Sequence, residues 1–390
     1  MAFHSRALWA EIDLVALKHN ISLLKRTFYP AELAAVVKAN GYGHGAAEVA
    51  KTARRAGIQT FCVATVEEGV ELRDAGIDGQ VLVFMEPERE FIEEALLNDL
   101  TLSVYNVRAL VEVVAAWERL SNGGRIFPRP RIHIKVDTGM HRLGVTEDEA
   151  LELAKLAKDS GVLFEGLSSH FAMADQGEIG RAPTLDQLAK FERVVTMLAT
   201  LNIRPQLLHI ANTAGGINYP NARYDLVRSG IGLYGYLPSS HVNLPGLKPV
   251  LSLKARVSAV RRLDAGEAVS YGLKRPLGRS SYVATVPIGY ADGVRRLLFE
   301  QGQEVLIKGE RMPIAGTITM DQTLIDCGDV EVSQGDEVVF LGRQGTESIS
   351  AAEWAEALST ITYEILTSLG NRVPRIYIRD TTAEKETLYQ

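Results

Sequence analysis

The sequence has little cysteine, no long apolar run and no excess of positive charge. Only Cys62 and Cys327 occur among its 390 residues. They lack the spacing of metal ligands, so no metal site is predicted, and we expect both to be buried free thiols. No apolar run is long enough to span a bilayer, which argues against a membrane protein. The formal net charge of −6 argues against general nucleic-acid binding, which needs a basic surface.

The N-terminus also lacks the long apolar segment of a secretory signal, so the sequence predicts a cytoplasmic protein. Its composition, 46% apolar and 23% charged, is that of a globular domain. A chain of this length is too long for one ordinary domain, and we expect two or three.

Short apolar runs alternate with amphipathic helical stretches up to residue 238. The runs, which we predict as strands, are AAVVKAN, TFCVAT, QVLVFM, TLSVYN, RIHIKVD, FEGLSSHF, LLHIAN and DLVRSGIGLYG. Two of the predicted helices begin with capping-box patterns, Thr65 with Glu68 and Thr146 with Glu149. Eight strand–helix units are what a (β/α)₈ TIM barrel requires. A doubly wound open sheet is the alternative, and it usually has fewer strands.

The pattern changes after residue 238. The segment LPSSHVNLPGLKP is rich in turn residues and indicates a linker. Short strand-like stretches follow, separated by Gly- and Asp-rich turns, with one helical stretch before the final strand RIYIRD. We therefore predict an α/β barrel domain at residues 1–238 and a mainly β domain at residues 239–390.

A lysine at the end of the first predicted barrel strand is the most informative single residue. Lys38 follows a buried apolar run and precedes a turn rich in glycine. Ligands sit at that edge of α/β folds, and a lysine in a partly dry pocket can act as a nucleophile. A surface lysine near a turn is the alternative on this evidence alone.

Eight motifs in order make the whole chain similar to the alanine racemase family, whose members depend on pyridoxal phosphate and adopt fold type III. The motifs are AVVKANGYGHG, KVDTGMHRLG, SSHFAMAD, HIANTAG, LVRSGIGLYG, VSYG, PIGYADG and TITMDQ. The resemblance implies a TIM barrel followed by a β domain that completes the partner subunit's active site. It also implies that roughly the first 12 residues pair with the C-terminal domain.

The resemblance implies racemisation by two bases on opposite faces of the substrate. Lys38 would bind pyridoxal 5'-phosphate covalently and then serve as one base. Tyr271, from the partner subunit, would be the other. A free tyrosine has a pKa near 10, so positive charge has to stabilise its phenolate. His170 and Arg228 are the candidates, with the charge of the arginine relayed through the imidazole.

The same resemblance places Arg228 against the pyridine nitrogen of the cofactor. A guanidinium is a fixed cation that can only donate hydrogen bonds, so it disfavours a protonated pyridinium. Negative charge then stays near the substrate α-carbon, which favours racemisation over transamination.

The remaining site residues also follow from the resemblance. The implied cofactor-binding residues are Lys38, Tyr42, Arg142, His170, Asn212, Thr213, Arg228, Gly230, Ile231 and Tyr363. Of these, the phosphate would be held by Tyr42, Thr213, Tyr363 and the backbone at Gly230 and Ile231. Arg142 and the backbone N–H of Met320 would bind the substrate carboxylate. Lys135, Tyr290 and Asp321 occupy supporting positions, and Lys135 matches a lysine that is often carbamylated.

Two residues depart from the family pattern. His141 replaces the usual glycine before Arg142, and Thr319 replaces a frequent cysteine before Met320. We expect the first to add bulk near the guanidinium and the second to change polarity near the substrate side chain. Neither change removes a catalytic group.

The resemblance implies a homodimeric alanine racemase that interconverts L- and D-alanine and supplies D-alanine for peptidoglycan, with no nucleic-acid or membrane partner. A racemase that also acts on serine or other amino acids is a close alternative. A decarboxylase of the same architecture would carry a carboxylate where Arg228 stands. A non-catalytic carrier of pyridoxal phosphate would be a single barrel without the β domain and Tyr271.

Overall fold

The computed structural model describes residues 6–122 and 127–379. Contacts divide the chain into two compact units. The barrel unit consists of Leu17–Gly41 and Ala46–Leu247. The β unit consists of Met1–Ala16, Tyr42–Gly45 and Lys248–Gln390. The short segment Tyr42–Gly45 therefore packs with the β unit although barrel sequence surrounds it.

The first strand, β1 (Leu8–Asp13), belongs to the β unit, and the barrel unit contains eight parallel strands. These are β2 (Glu32–Val36), β3 (Thr60–Val63), β4 (Gln80–Val83), β5 (Thr101–Val104), β6 (Arg131–Lys135), β7 (Leu163–Ser168), β8 (Leu207–His209) and β9 (Leu226–Ser229). Each pairs with the next from β2 to β8, and β9 pairs with β2. A bridge between Asn212 and Arg228 joins the two remaining edges, so the barrel is nearly closed. The predicted (β/α)₈ barrel is confirmed.

Helices follow the strands on the outside of the barrel, as the amphipathic pattern predicts. They are α1 (Leu14–Phe28), α2 (Ala46–Arg55), α3 (Val66–Asp74), α4 (Arg89–Leu97), α5 (Val107–Ser121), α6 (Glu147–Ser160), α7 (Gly177–Thr200) and α8 (Thr213–Asn218). In α2 the buried residues Ala46, Val49, Ala50 and Ala53 recur at helical spacing on one face. Strands β3 and β5 are buried along their whole length, which explains their uninterrupted apolar or uncharged sequences.

The β unit contains a seven-stranded sheet and a three-stranded sheet. Its further strands are β10 (Leu251–Arg256), β11 (Ala259–Leu263), β12 (Ser281–Val286), β13 (Glu304–Ile307), β14 (Glu310–Pro313), β15 (Thr323–Asp326), β16 (Glu337–Gln344), β17 (Glu347–Ile349) and β18 (Arg375–Ile378). Strand β1 pairs antiparallel with β10 and parallel with β18. The predicted mainly β second domain is confirmed.

Three short helices complete the β unit: α9 (Leu297–Glu300), α10 (Ala351–Ala357) and α11 (Thr362–Thr367). Strands β11, β12 and β15 form the smaller sheet, which covers a core of Val269, Leu277, Val283 and Ala315. Cys62 and Cys327 are buried free thiols, as the sequence predicts. Among the helices of residues 6–122 and 127–379, none combines the length and the apolar character needed to cross a membrane.

Candidate active site

The barrel-unit residues singled out by the sequence lie at the carboxyl ends of the barrel strands. Lys38 follows β2, Arg142 follows β6, and His170 follows β7. Asn212 and Thr213 follow β8, at the start of α8, and Arg228 lies within β9. This is the face on which barrels of this type build their sites, because the loops that follow parallel strands meet there.

The backbone directly after Lys38 is left-handed. Ala39, Asn40 and Gly41 have φ/ψ angles of 52/51, 52/47 and 60/44 degrees. A left-handed conformation costs a residue other than glycine roughly 1–2 kcal/mol, so the surrounding structure has to hold it. The Asn40 side chain does so by accepting a hydrogen bond from the Ala46 N–H at 2.9 Å. The glycines predicted the turn, but nothing in the local pattern predicted its handedness at Ala39.

Glu68, at the start of α3, joins the loops that follow β2 and β3. Its carboxylate accepts hydrogen bonds from the backbone N–H groups of Ala39 and Ala64, each at 2.7 Å. The predicted capping box is therefore only half correct: Thr65 accepts from the Glu68 N–H at 3.4 Å, but the carboxylate is engaged elsewhere. At the other predicted box, Thr146 and Glu149 form both reciprocal bonds.

Cationic groups cluster at this end of the barrel, and the pKa values of the two lysines among them are lowered. Burial lowers the pKa of Lys38, and the charge of Arg142 lowers that pKa further. Burial likewise lowers the pKa of Lys135 to about 8, with further contributions from Arg228, Arg142 and Lys38. A site with these groups favours anionic ligands and supplies lysine amines that lose their protons more readily than a free lysine does.

Arg228 is the most completely engaged side chain of the cluster. Its guanidinium donates to the carbonyls of Ser169, His209 and Ile210 at 2.7, 3.1 and 3.1 Å. It also donates to Nδ1 of His209 at 2.6 Å and Nδ1 of His170 at 3.1 Å. Burial lowers the pKa of Arg228 to about 10, so it remains a cation at neutral pH. Burial and then the charge of Arg228 lower the pKa of His170, so His170 is a neutral acceptor.

Small and hydroxyl-bearing residues lie where β8 and β9 end. Thr213 Oγ1 and Ser229 Oγ are 3.0 Å apart, and both residues are buried. The chain then turns tightly: the Gly230 carbonyl accepts from the Leu233 N–H, and the Ile231 carbonyl from the Tyr234 N–H. A Cβ at Gly232 would lie 2.9 Å from Ser229 Oγ and 3.0 Å from a Thr213 methyl group. Glycine at that position is what lets the two elements approach.

In the β unit, three loops bring together Tyr271, Tyr290 and Met320. The Thr317 hydroxyl donates to the Tyr271 carbonyl at 2.9 Å, and the Tyr290 N–H donates to the Thr319 carbonyl at 3.0 Å. Tyr271 lies in a turn and is 69% exposed, and Met320 is 52% exposed. Exposed apolar and aromatic groups of this size on one set of loops are typical of a surface that contacts another molecule.

Two further predicted residues of the β unit have defined neighbours. The ring of Tyr363, in α11, lies 5.9 Å from the ring of Tyr42, centre to centre. Tyr42 is buried, and it belongs to the short segment that packs with the β unit. Asp321 is exposed and forms an ion pair with Arg372.

The two residues that depart from the family pattern have defined surroundings in the structure. His141 has φ of +55°, which explains why glycine is usual there. Its side chain is 82% exposed and lies 3.2 Å from the Asp137 carboxylate, so its bulk is directed to the surface. The Thr319 hydroxyl donates to the Gln322 carbonyl at 3.0 Å, within its own loop.

Three residues that the sequence did not predict contact the site or support it. His209 hydrogen-bonds Arg228, His133 hydrogen-bonds His209, and Glu68 holds the turn after Lys38. His209 stands inside the HIANTAG motif, so the motif could have pointed to it. His133 and Glu68 have partners far away in sequence, and no local pattern identifies those contacts.

The fold and the site together define a protein of a particular class: an α/β barrel with a lysine-centred cationic site at its carboxyl end, joined to a mainly β domain. A family profile described as "Alanine racemase, N-terminal domain" matches residues 12–238. A second, described as "Alanine racemase, C-terminal domain", matches residues 250–377. The chain belongs to the alanine racemase family.

Individual relatives agree with this assignment. The chain is 43% identical to alanine racemase of Symbiobacterium thermophilum over 379 residues, covering 96% of this chain and 98% of the relative. It is 41% identical to alanine racemase of Carboxydothermus hydrogenoformans over 376 residues, covering 96% and 100%. A crystal structure of alanine racemase from Bacillus anthracis with bound L-Ala-P superposes with a TM-score of 0.89 at 37% identity, covering 97% of both chains.

Proposed function

We propose that this protein is an alanine racemase that interconverts L- and D-alanine with pyridoxal 5'-phosphate and supplies D-alanine for peptidoglycan. The observation that carries the proposal is that Lys38 and Arg228 both lie at the carboxyl end of the barrel. Lys38 is a half-buried amine of lowered pKa, and Arg228 is a buried cation locked by five hydrogen bonds. A decarboxylase would need a carboxylate where Arg228 stands.

The residues present fit the proposed cofactor. An aldehyde requires an amine that can lose its proton, and burial gives Lys38 that property. A phosphate requires donors: we propose the hydroxyls of Tyr42, Thr213 and Tyr363 and the backbone of Gly230 and Ile231 for this role. Asn212 caps α8 by accepting from the Gly215 N–H at 2.9 Å, which fixes the loop that carries Thr213. His170 is proposed to lie against the ring.

Arg228 is proposed to face the pyridine nitrogen. When bound, the cofactor supplies a conjugated system that accepts negative charge from the substrate α-carbon. A buried guanidinium has no proton that it gives up at neutral pH, so it leaves the ring nitrogen unprotonated. The charge that develops in the reaction then remains near the α-carbon, where a proton has to return.

Proton transfer is proposed to use two bases from opposite sides. Lys38 takes or returns the α-proton on one face, because its lowered pKa keeps part of the amine neutral. Tyr271 of a second copy acts on the other face; its exposure in a loop of the β unit leaves it able to reach another chain. Arg142 and the Met320 N–H are proposed to hold the substrate carboxylate.

Tyr271→Phe tests the two-base mechanism. Loss of a general base costs about 10²- to 10⁴-fold, so racemisation of L- and D-alanine should fall by that order. In deuterium oxide, the variant should still exchange the α-hydrogen of one enantiomer without inversion, because Lys38 remains. Parallel assays of the wild type with L-serine measure substrate breadth.

The matched control is Tyr290→Phe, a tyrosine of the same loop cluster to which we assign only a supporting place. Its racemisation rate should stay within a few-fold of the wild type. Unchanged racemisation in Tyr271→Phe would refute the two-base mechanism. Absence of any racemisation of alanine by the wild type loaded with cofactor would refute the function itself.

A further inference from the structure

A chain of hydrogen bonds runs from Arg228 through the interior of the barrel unit to a carboxylate. Arg228 Nη1 lies 2.6 Å from His209 Nδ1, and His209 Nε2 lies 2.8 Å from His133 Nδ1. His133 Nε2 in turn lies 3.2 Å from the Glu165 carboxylate. His133 is fully buried and His209 is 1% exposed. None of the roles assigned above uses His133 or Glu165.

The two ends of this chain, a guanidinium that can only donate and a carboxylate that accepts, favour the same direction for every bond. A guanidinium can only donate, so His209 Nδ1 has to be the acceptor and carries no proton. A neutral His209 then carries its proton on Nε2 and donates to His133 Nδ1. By the same argument His133 is protonated on Nε2 and donates to Glu165, which accepts. A proton on His209 Nδ1 would set two donors against each other at 2.6 Å.

Both imidazoles are neutral, which this assignment requires. Burial, followed by the charge of Arg228, lowers the pKa of His209 well below its ordinary value. Burial also lowers the pKa of His133, although the hydrogen bond to Glu165 acts in the opposite direction. The five hydrogen bonds of Arg228 go to carbonyl oxygens and imidazole nitrogens, and the chain that leaves it through His209 ends on the Glu165 carboxylate.

The backbone is shaped to aim Glu165 at His133. The pairing of β6 with β7 shifts at this point: Ile132 lies opposite Phe164, but His133 lies opposite Gly166. Glu165 is therefore the extra residue of a β-bulge, a device that redirects a side chain. A Cβ at Gly166 would lie 2.6 Å from the His133 ring, so only glycine leaves enough space for the ring. Gln80 donates a further hydrogen bond to the same carboxylate oxygen.

We propose that Glu165 and His133 are positioning residues for the site: they hold the proton of His209 on Nε2, so that Nδ1 accepts from Arg228 and fixes the guanidinium in place. The proposal deepens the proposed racemase function and rests on it for the role of Arg228. The assignment of the protons themselves does not depend on that function.

The test is nitrogen-15 NMR of histidine-labelled protein loaded with cofactor, in which protonated and unprotonated ring nitrogens resonate at separate frequencies. The chain has eight histidines. The variants His133→Asn and His209→Asn identify which ring-nitrogen signals belong to His133 and which to His209. In the wild type we expect both rings neutral and protonated on Nε2. A proton on His209 Nδ1 overturns the proposal with no variant needed.

Two substitutions then separate acceptor from packing. Glu165→Gln keeps a carbonyl acceptor and should keep both rings in the wild-type form. Glu165→Met keeps the length of the side chain but removes the acceptor. At least one of the two imidazoles should then no longer be found only as the Nε2-protonated tautomer. Leaving a buried donor unpaired should also lower kcat about tenfold or more, with glutamine restoring most of it.

A purely structural role gives a different result. In that case Glu165→Met lowers stability while both imidazoles and the absorption spectrum of the bound cofactor stay as in the wild type, and the proposal is wrong. The control Gln80→Met removes another hydrogen bond to the same carboxylate and should leave the tautomers unchanged. Failure of the racemase function would appear separately, as a wild type with the expected protons and no turnover of alanine.

Discussion

At the scale of single residues, burial and mutual repulsion decide what the cationic groups can do. Burial is the largest cause of the lowered pKa of Lys38 and of Lys135. The charge of Arg142 lowers both values further, and the charge of the buried Arg228 lowers that of Lys135. The Cys62 thiol is close to two of these cationic groups, but burial raises its pKa to about 12, so it stays neutral. Positive charge at a site where Arg228 is buried and Lys38 and Lys135 are partly buried is unfavourable without an anion, which supports the anionic cofactor proposed here.

Lys135 can supply an anion of its own. Carbamylation joins the unprotonated amine to CO₂ and releases one proton, so its extent depends on the neutral fraction of the amine. Because the pKa of Lys135 is about 8, that fraction grows as the pH rises through 8 and is lost below it. Carbon-13 NMR with labelled bicarbonate should give a carbamate signal with this pH dependence.

Lys135→Arg is the control, since arginine keeps the positive charge but cannot form the carbamate. The signal should disappear in that variant. A signal of equal size in Lys135→Arg, or no signal in the wild type at any pH, would contradict the prediction.

At the scale of the elements, the side chain of Glu68 connects the loops after β2 and β3 by hydrogen bonds. Glu68 accepts from Ala39 N–H in one loop and from Ala64 N–H in the other. Its charge also raises the pKa of Lys38, against the larger effect of burial. Helix α3 therefore positions the left-handed turn beside Lys38 and influences the protonation of its amine.

Glu68→Ala should loosen this turn and lower the pKa of Lys38 further, because it removes both hydrogen bonds and a nearby negative charge. Loss of bonds to a charged group should cost about 1.5–3 kcal/mol of stability. Denaturant unfolding measures the first effect. The pH dependence with which an amine-reactive reagent modifies Lys38 in cofactor-free protein measures the second.

Glu71→Ala serves as the comparison, because Glu71 is an exposed residue of the same helix. The Glu71→Ala substitution should leave the pKa of Lys38 unchanged. If Lys38 is modified with the same pH profile in both alanine variants, Glu68 does not influence the pKa of the lysine.

At the scale of the whole molecule, distant parts of the chain meet in the β unit. Strand β1 lies between β10 and β18, and Arg6 forms two hydrogen bonds to the buried Asp292. The segment Tyr42–Gly45 is drawn into the same unit: a Cβ at Gly43 would lie 2.3 Å from the Leu366 carbonyl. Each of these contacts joins residues more than 200 positions apart, so the β unit needs both ends of the chain.

Sharing of residues between two copies can be tested by mixing two inactive variants. Lys38→Ala and Tyr271→Phe each disable every site of their own homodimer. In a mixed dimer, one site takes Lys38 from one chain and Tyr271 from the other and is intact. Equal amounts, unfolded and refolded together, should recover about a quarter of the wild-type activity, since half of the dimers are mixed and each has one intact site.

Mixing two samples of the same variant is the control and should recover nothing. Activity that stays at the level of the separate variants after confirmed exchange of subunits would show that each chain builds its own site. The dimer proposed above would then have no part in catalysis.

The sequence by itself determined the order of the elements and the chemistry available at the strand ends. Eight apolar runs with helices between them favour a barrel over an open sheet, because each run has to be buried, each helix has one apolar face and an open sheet usually has fewer strands. The same pattern placed Lys38 at the end of the first barrel strand without any coordinates, and the family resemblance added His170 and Arg228. The capping box at Thr146 was equally local and was also predicted correctly.

Only the tertiary structure decided how those groups act on one another. The left-handed turn at Ala39, the bridge from Glu68 and the bulge that aims Glu165 at His133 depend on residues brought together from separate strands. A periodic pattern reports which face of an element is buried but not which side chain from another element meets it. The protonation of the site residues depends on those contacts, because burial and neighbouring charge determine their pKa values.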